Sequence, residues 1–212
     1  MAKSNTSGKI TVLIADDHTI VRVGLAALLG TKPDIEVVDQ AVNGLEAVAK
    51  SIRLKPDVVI MDLMMPQMDG VSATIALAEK APKTKVILLT TFGTSDGIAH
   101  ALESGAKGAI LKSADNTQLV TAIRTVAAGG EYISEEVSQQ LAIDPPIPEL
   151  TPRQAEVLSS MIRGLTDRDI ARQLAISHDR VTQHVSAILQ KLNAANRTEA
   201  VGIALRKHLL KI

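Results

Sequence analysis

The 212 residues suffice for one large or two small domains, and with one Phe, one Tyr, no Trp and no Cys they exclude aromatic cores, disulfides, thiolate metal sites and cysteine nucleophiles. The formal net charge is zero, but residues 1–149 carry 13 Lys+Arg against 18 Asp+Glu and residues 150–212 carry 10 against 5, which predicts two modules, the basic one facing nucleic acid. The first residues are polar and no apolar run approaches the roughly 20 residues of a membrane-spanning helix, so a cytoplasmic location and no membrane partner are expected.

In chain order, Ile10–Ala15 is predicted as a strand ending at Asp16-Asp17, followed by a helix over Val21–Leu29 that Gly30 stops. A short strand at Ile35–Val38 and a helix at Leu45–Ile52 follow. Val58-Val59-Ile60-Met61 is a continuous apolar run, the mark of a strand buried on both faces, and it stops at Asp62. Helices over Val71–Ala81, Ile98–Glu103 and Leu119–Ala128 alternate with strands at Val86–Thr90 and Ala109–Leu111, the last ending at Lys112. Repeated strand–helix pairs over residues 9–129 predict an α/β module with a parallel five-stranded sheet and helices on both faces. Residues 130–149, with a short helix at Glu135–Leu141 and then Pro145, Pro146 and Pro148, are expected to form a stiff linker.

Reactive sites in such sheets lie beyond the C-terminal strand ends, where this chain places Asp16-Asp17, Asp62, Thr90 and Lys112. Taken singly, Asp16 and Asp17 suit a helix cap, Thr90 an ordinary strand position and Lys112 a solvated turn. Their arrival together at strand ends of one sheet points to chemistry. Crowded carboxylates repel and favour a hard cation such as Mg²⁺. An Asp carboxylate can act as a nucleophile toward phosphorus, while a hydroxyl and a lysine neutralise phosphoryl oxygens.

Residues 150–212 are predicted to be all-α, with four helices. Thr151 and Pro152 start the first, Thr166 caps the second, Ser177 caps a third reaching Leu192, and the fourth spans Asn196–Leu209. Val181, Val185, Ile188, Leu189 and Leu192 give the third helix an apolar face. Its polar face carries Arg180, Thr182, Gln183, Ser186 and Lys191, the side chains a helix-turn-helix would present to the major groove of double-stranded DNA. A helical protein-interaction domain with a solvated face is the alternative from these residues alone.

Over residues 9–129 the chain resembles the receiver domain of two-component response regulators, through Asp16-Asp17, Asp62 with Met65-Pro66 and Asp69-Gly70, Thr90-Thr91 and Lys112. The resemblance implies a flavodoxin-like fold with Asp62 as phosphoacceptor. It implies Mg²⁺ held by Asp16, Asp17, Asp62 and the main-chain carbonyl of Met64, Thr90 as a switch hydroxyl and Lys112 as the phosphate-sensing lysine. The phosphoryl group would come from a cognate histidine kinase or a small phosphodonor, making the chain a self-phosphorylating receiver, not a turnover enzyme. Two positions depart from the common pattern: Ala109 stands where receivers usually carry a switch aromatic, so residues 91–97 are expected to carry the rearrangement. Met64 occupies a position that influences dephosphorylation, where an apolar group predicts a long-lived adduct.

Residues 150–212 look like the C-terminal domain of NarL/FixJ (LuxR-type) regulators, through Leu150-Thr151-Pro152-Arg153, Glu156-Val157-Leu158, Gly164-Leu165-Thr166, His184-Val185 and Asn196-Arg197-Thr198-Glu199-Ala200. By that resemblance the third helix reads DNA and the fourth forms a dimer interface including Val201, Ala204 and Leu205. Arg180-Val181-Thr182 replaces the common Thr-Val-Lys, moving the expected basic contact to Arg180. The expected whole is a DNA-binding regulator that dimerises and binds promoter DNA when Asp62 is phosphorylated. Two rivals are a phosphorylation-independent DNA binder that uses the receiver only to dimerise, and a phosphohydrolase, which would want a carboxylate where Met64 stands.

Overall fold

The computed structural model describes residues 8–90, 95–147, 150–207 and 209, and divides into two compact units, one ending at Pro145 and the other beginning at Pro146.

In the first unit the strands are β1 (Ile10–Ala15), β2 (Ile35–Ala41), β3 (Val58–Asp62), β4 (Lys85–Thr90), β5 (Gly108–Leu111) and β6 (Tyr132–Ile133). They form one sheet in the order β2-β1-β3-β4-β5-β6, every pair parallel. Between them run α1 (Thr19–Gly30), α2 (Gly44–Leu54), α3 (Gly70–Lys80), α4 (Ser95–Glu103) and α5 (Asn116–Ala127), with α6 (Glu135–Ile143) last. The apolar strands separate cleanly by face. Leu13, Ala15, Val59, Met61, Val86, Leu88, Ala109 and Leu111 join one core with residues of α2, α3 and α4. Val12, Ile14, Val58, Ile60, Ile87, Leu89 and Ile110 join the other with residues of α1 and α5. Period-two alternation between two covered faces is why these strands show no polar side in sequence.

The sheet has six strands, not the five expected. Tyr132 and Ile133 pair with Gly108 and Ala109, and Ser134 N–H donates to Ala109 O at 3.0 Å. Most of the stretch expected to be linker is therefore part of this unit, because Val137 of α6 is fully buried in the core that contains Ala109. A two-residue strand and a helix with one fully buried residue leave almost no periodic signal. Helix α4 begins at Ser95, earlier than its apolar pattern suggested, since Ser95, Asp96 and Gly97 carry no apolar side chain. Residues 91–94 of the expected switch loop, and Pro148 of the linker, lie outside the described residues.

The second unit contains α7 (Pro152–Ile162), α8 (Asp167–Leu174), α9 (His178–Lys191) and α10 (Arg197–Arg206). Each start is capped by a side chain: Thr151 and Thr166 in capping boxes, Ser177 to the Arg180 N–H and Asn196 to the Glu199 N–H. Val157, Leu158, Met161, Ile170, Val181, Ile188, Leu192, Ala200 and Ala204 form its aliphatic core. Helix α10 ends at Arg206, short of the expected Leu209, whose N–H returns to Ala204 O at 3.1 Å.

Candidate functional site

Strand register, more than any single residue, assembles the site. Ala15 lies opposite Met61 and Asp62 opposite Leu89, so Asp16 and Thr90 fall just beyond β1 and at the end of β4, on either side of Asp62. Thr90 lies opposite Leu111, which brings Lys112 to the same edge, with Lys112 N–H donating to Thr90 O at 2.6 Å. The loop after Asp62 is held by close backbone approach. Gly70 N–H donates to Leu63 O at 2.9 Å, and a Cβ on Gly70 would stand 2.2 Å from Asp62 O. Asp69 caps α3 through the Ser72 N–H, and Asn43 caps α2 while donating to Gln67 Oε1 at 3.0 Å.

The geometry at this edge is that of an acidic pocket with a lysine across it. Lys112 Nζ lies 2.7 Å from Asp16 Oδ2 and 2.8 Å from Asp62 Oδ2, and both carboxylates are almost wholly buried. Asp16, Asp17, His18 and Asp62 each bring a possible ligand atom within 4.8 Å of the others. Burial raises the Asp62 pKa, and the Asp16 charge adds to this; Lys112 and the Met64 N–H pull the other way without cancelling it. Burial also works against the Lys112 ammonium, but bonds and charges from Asp16 and Asp62 outweigh it and raise its pKa, so it stays charged.

These residues fit a hard divalent cation. Three carboxylates face one ammonium: Lys112 Nζ meets Asp16 Oδ2 at 2.7 Å and Asp62 Oδ2 at 2.8 Å, while Asp17 Oδ1 lies against His18 Nδ1. Excess negative charge on clustered carboxylate oxygens suits Mg²⁺, a hard cation that seeks oxygen ligands. Sequence reasoning missed His18, whose Nδ1 lies 2.7 Å from Asp17 Oδ1 and whose N–H donates to Asp16 Oδ1 at 2.8 Å. Its signal was adjacency to the aspartate pair. It also missed Arg22, a lone cation in the otherwise uncharged α1. Met64 is 57% exposed, while Thr90 is buried.

In the second unit, α9 turns its polar side to solvent: Arg180, Thr182, Gln183 and Ser186 are all exposed, and Val181 and Ile188 are buried. Lys191 is placed differently from the other expected DNA contacts, since its Nζ is 2.9 Å from Gln154 Oε1 at the start of α7. Ala204, expected on the dimer face, is 2% exposed and packs within its own core. Val201 is half-buried against that core and Leu205 is 47% exposed, so Leu205 marks the free side of α10.

A family model described as a response regulator receiver domain matches residues 12–124, more than half of the chain. The chain belongs to the response regulators. A second model, for bacterial regulatory proteins of the luxR family, matches residues 148–204 and adds the DNA-binding domain of a regulator that controls transcription. This response regulator is 38% identical over 213 residues to the oxygen regulatory protein NreC of Staphylococcus carnosus (strain TM300), covering 94% of this chain and 98% of that one. Among solved structures it resembles the response regulator ChrA of a heme-sensing two-component system, with 36% identity, a TM-score of 0.58, and coverage of 96% of this chain and 100% of that one. It also resembles RcsB from Salmonella enterica serovar Typhimurium, bound to a promoter in the presence of the phosphomimetic BeF3-, with 25% identity, a TM-score of 0.69, and coverage of 93% and 98%. Among the described residues no helix is long and apolar enough to cross a membrane.

Proposed function

We propose that this regulator accepts a phosphoryl group on Asp62 from a histidine kinase or a small phosphodonor, and that the adduct drives homodimerisation and promoter binding in the cytoplasm. The observation that carries the reading is the Lys112 ammonium held between Asp62 and Asp16 at the strand edge, in a chain whose other unit exposes the polar side of α9.

In the transfer step an Asp62 carboxylate oxygen attacks phosphorus in line. The bond from phosphorus to the donor breaks, and its electron pair leaves with the donor. Mg²⁺, when held by Asp16, Asp17, Asp62 and the Met64 carbonyl, supplies charge neutralisation for the phosphoryl oxygens. Lys112 transfers part of its pairing from Asp62 to a phosphoryl oxygen, and the Thr90 hydroxyl donates to another. Those new bonds bias the receiver surface toward a dimer. Paired α9 helices then enter successive major grooves, where Gln183 suits adenine and Arg180 guanine or phosphate. Thr182 and Ser186 add polar contacts beside them. Met64, two residues after Asp62, offers an apolar side chain where a polar one would direct water at the adduct, so the adduct persists.

Purified protein treated with Mg²⁺ and acetyl phosphate, with Asp62→Ala as control, tests this on phosphate-affinity gels and by analytical ultracentrifugation. Asp62-dependent labelling that decays slowly and shifts the protein to dimers is expected. No adduct, or steady turnover of acetyl phosphate, would overturn the reading; an adduct with no change in assembly would overturn its dimerisation step.

A further inference from the structure

Arg22 has no part in the site as described, yet it is bonded to the site's backbone. It lies on α1 and is 9% exposed. Its Nη1 donates to the Asp16 main-chain carbonyl at 2.7 Å and its Nη2 to Thr19 Oγ1 at 3.2 Å, so the guanidinium engages a carbonyl and a hydroxyl instead of a carboxylate. A buried arginine is costly unless it is well bonded and near negative charge. Here the bonds to Asp16 O and Thr19 Oγ1 supply the pairing.

The helix that begins at this junction lacks an N-cap side-chain bond: His18 is the N-cap of α1 but makes none, and the first turn contains no acidic residue. The other helices of this unit with a described cap, α2, α3, α5 and α6, are each fastened by an Asn, Asp or Ser side chain. The segment Asp16-Asp17-His18 thus passes from strand to helix without an N-cap bond, held by the His18 N–H to Asp16 Oδ1 bond and, one turn along, by Arg22. We infer that Arg22 is a positioning residue for the phosphoacceptor site: its fork fixes the Asp16 carbonyl and so holds the Asp16 and Asp17 carboxylates in register with Asp62 for a divalent cation. The inference rests on the reading of this edge as an Mg²⁺-dependent phosphoacceptor.

Two effects of the guanidinium oppose each other, and this makes the inference testable. As a nearby positive charge it repels a cation; as a backbone clamp it prepares the cation's ligands. Mg²⁺ is titrated calorimetrically into the full-length protein, Arg22→Met and Arg22→Lys, without phosphodonor, after circular dichroism has established folding. If the clamp dominates, Arg22→Met weakens Mg²⁺ binding about tenfold, the scale of one hydrogen bond to a charged group. Arg22→Lys, which keeps one donor, recovers most of the loss. Acetyl phosphate labelling of Arg22→Met then approaches the wild-type rate at saturating Mg²⁺. Unchanged or tighter binding by Arg22→Met would reduce Arg22 to a background charge and overturn the assignment, as would an Arg22→Lys variant as weak as Arg22→Met. Should Arg22→Met not fold, Thr19→Ala removes only the Nη2 partner, and about threefold weaker binding is expected; an unchanged dissociation constant would overturn the assignment. Wild-type protein that neither binds Mg²⁺ nor labels would instead sink the proposed function.

Discussion

Gly70→Ala is expected to damage both the stability of the receiver and the placement of Asp62, although it adds one methyl group. The new Cβ would stand 2.2 Å from Asp62 O, 2.9 Å from Leu63 Cα and 3.0 Å from Asp62 C. Ordinary carbon–oxygen contact begins more than 3 Å apart, so about 1 Å of movement is needed. The obstructing atoms are backbone, and the Gly70 N–H to Leu63 O bond of 2.9 Å crosses the same gap, so no side chain can yield instead. Overpacking of this kind costs roughly 1–3 kcal/mol, and rigid backbone places this site at the upper end. Helix propensity returns at most about 1 kcal/mol, leaving a net loss of about 2 kcal/mol. That corresponds to a fall in Tm of roughly 4–8 °C. A shift of Asp62 by about 1 Å would also slow phosphoryl transfer by up to about a hundredfold. Gly24→Ala is the internal control. It makes the same change on α1 with nothing within 4 Å of the new Cβ, and should stabilise by about 0.5–1 kcal/mol. Urea unfolding of both variants and acetyl phosphate labelling of Gly70→Ala decide the matter. A Gly70→Ala protein as stable and as readily labelled as wild type would refute the reasoning.

Two further outcomes are expected. Burial raises the Asp62 pKa, so the folded chain holds a proton there more readily than the unfolded chain, and ionising Asp62 costs stability. That cost is absent below the ordinary carboxylate range, grows as pH rises toward the raised folded-state pKa and is constant above it. Asp62→Asn should therefore gain stability relative to wild type as pH rises from about 4 to 7 without Mg²⁺. Thermal unfolding across pH checks this; a gain as large below about pH 4 as at pH 7 contradicts the sign. Val137→Ala empties part of the one fully buried position of α6 and should cost about 1–3 kcal/mol of its docking. Hydrogen exchange at amides 138–143 should accelerate, and unaltered protection there would mean that α6 is held by something other than Val137.

The sequence by itself determined five of the six strands, the helix starts of the second unit and which side chains gather at the strand ends. Runs such as Val58–Met61 admit only a strand covered on both faces, and Thr151, Thr166 and Ser177 announce helix starts through bonds within four residues. Asp62 and Lys112 were legible because parallel strands must all end on the same side. What only the tertiary structure decided depends on contacts remote in sequence. Lys112 bridges Asp16 and Asp62 because register aligns three strand ends, and α6 joins the receiver because Val137 meets a core built a long way upstream. The inward turn of Ala204 and the tie from Lys191 to Gln154 were equally hidden, since the periodicity of one helix does not say which neighbours will cover it. Arg22 is a case of a different kind. In sequence it is a single charge in an apolar helix, and its inferred role rests on a carbonyl only six residues back, which it reaches through the turn from β1 into α1.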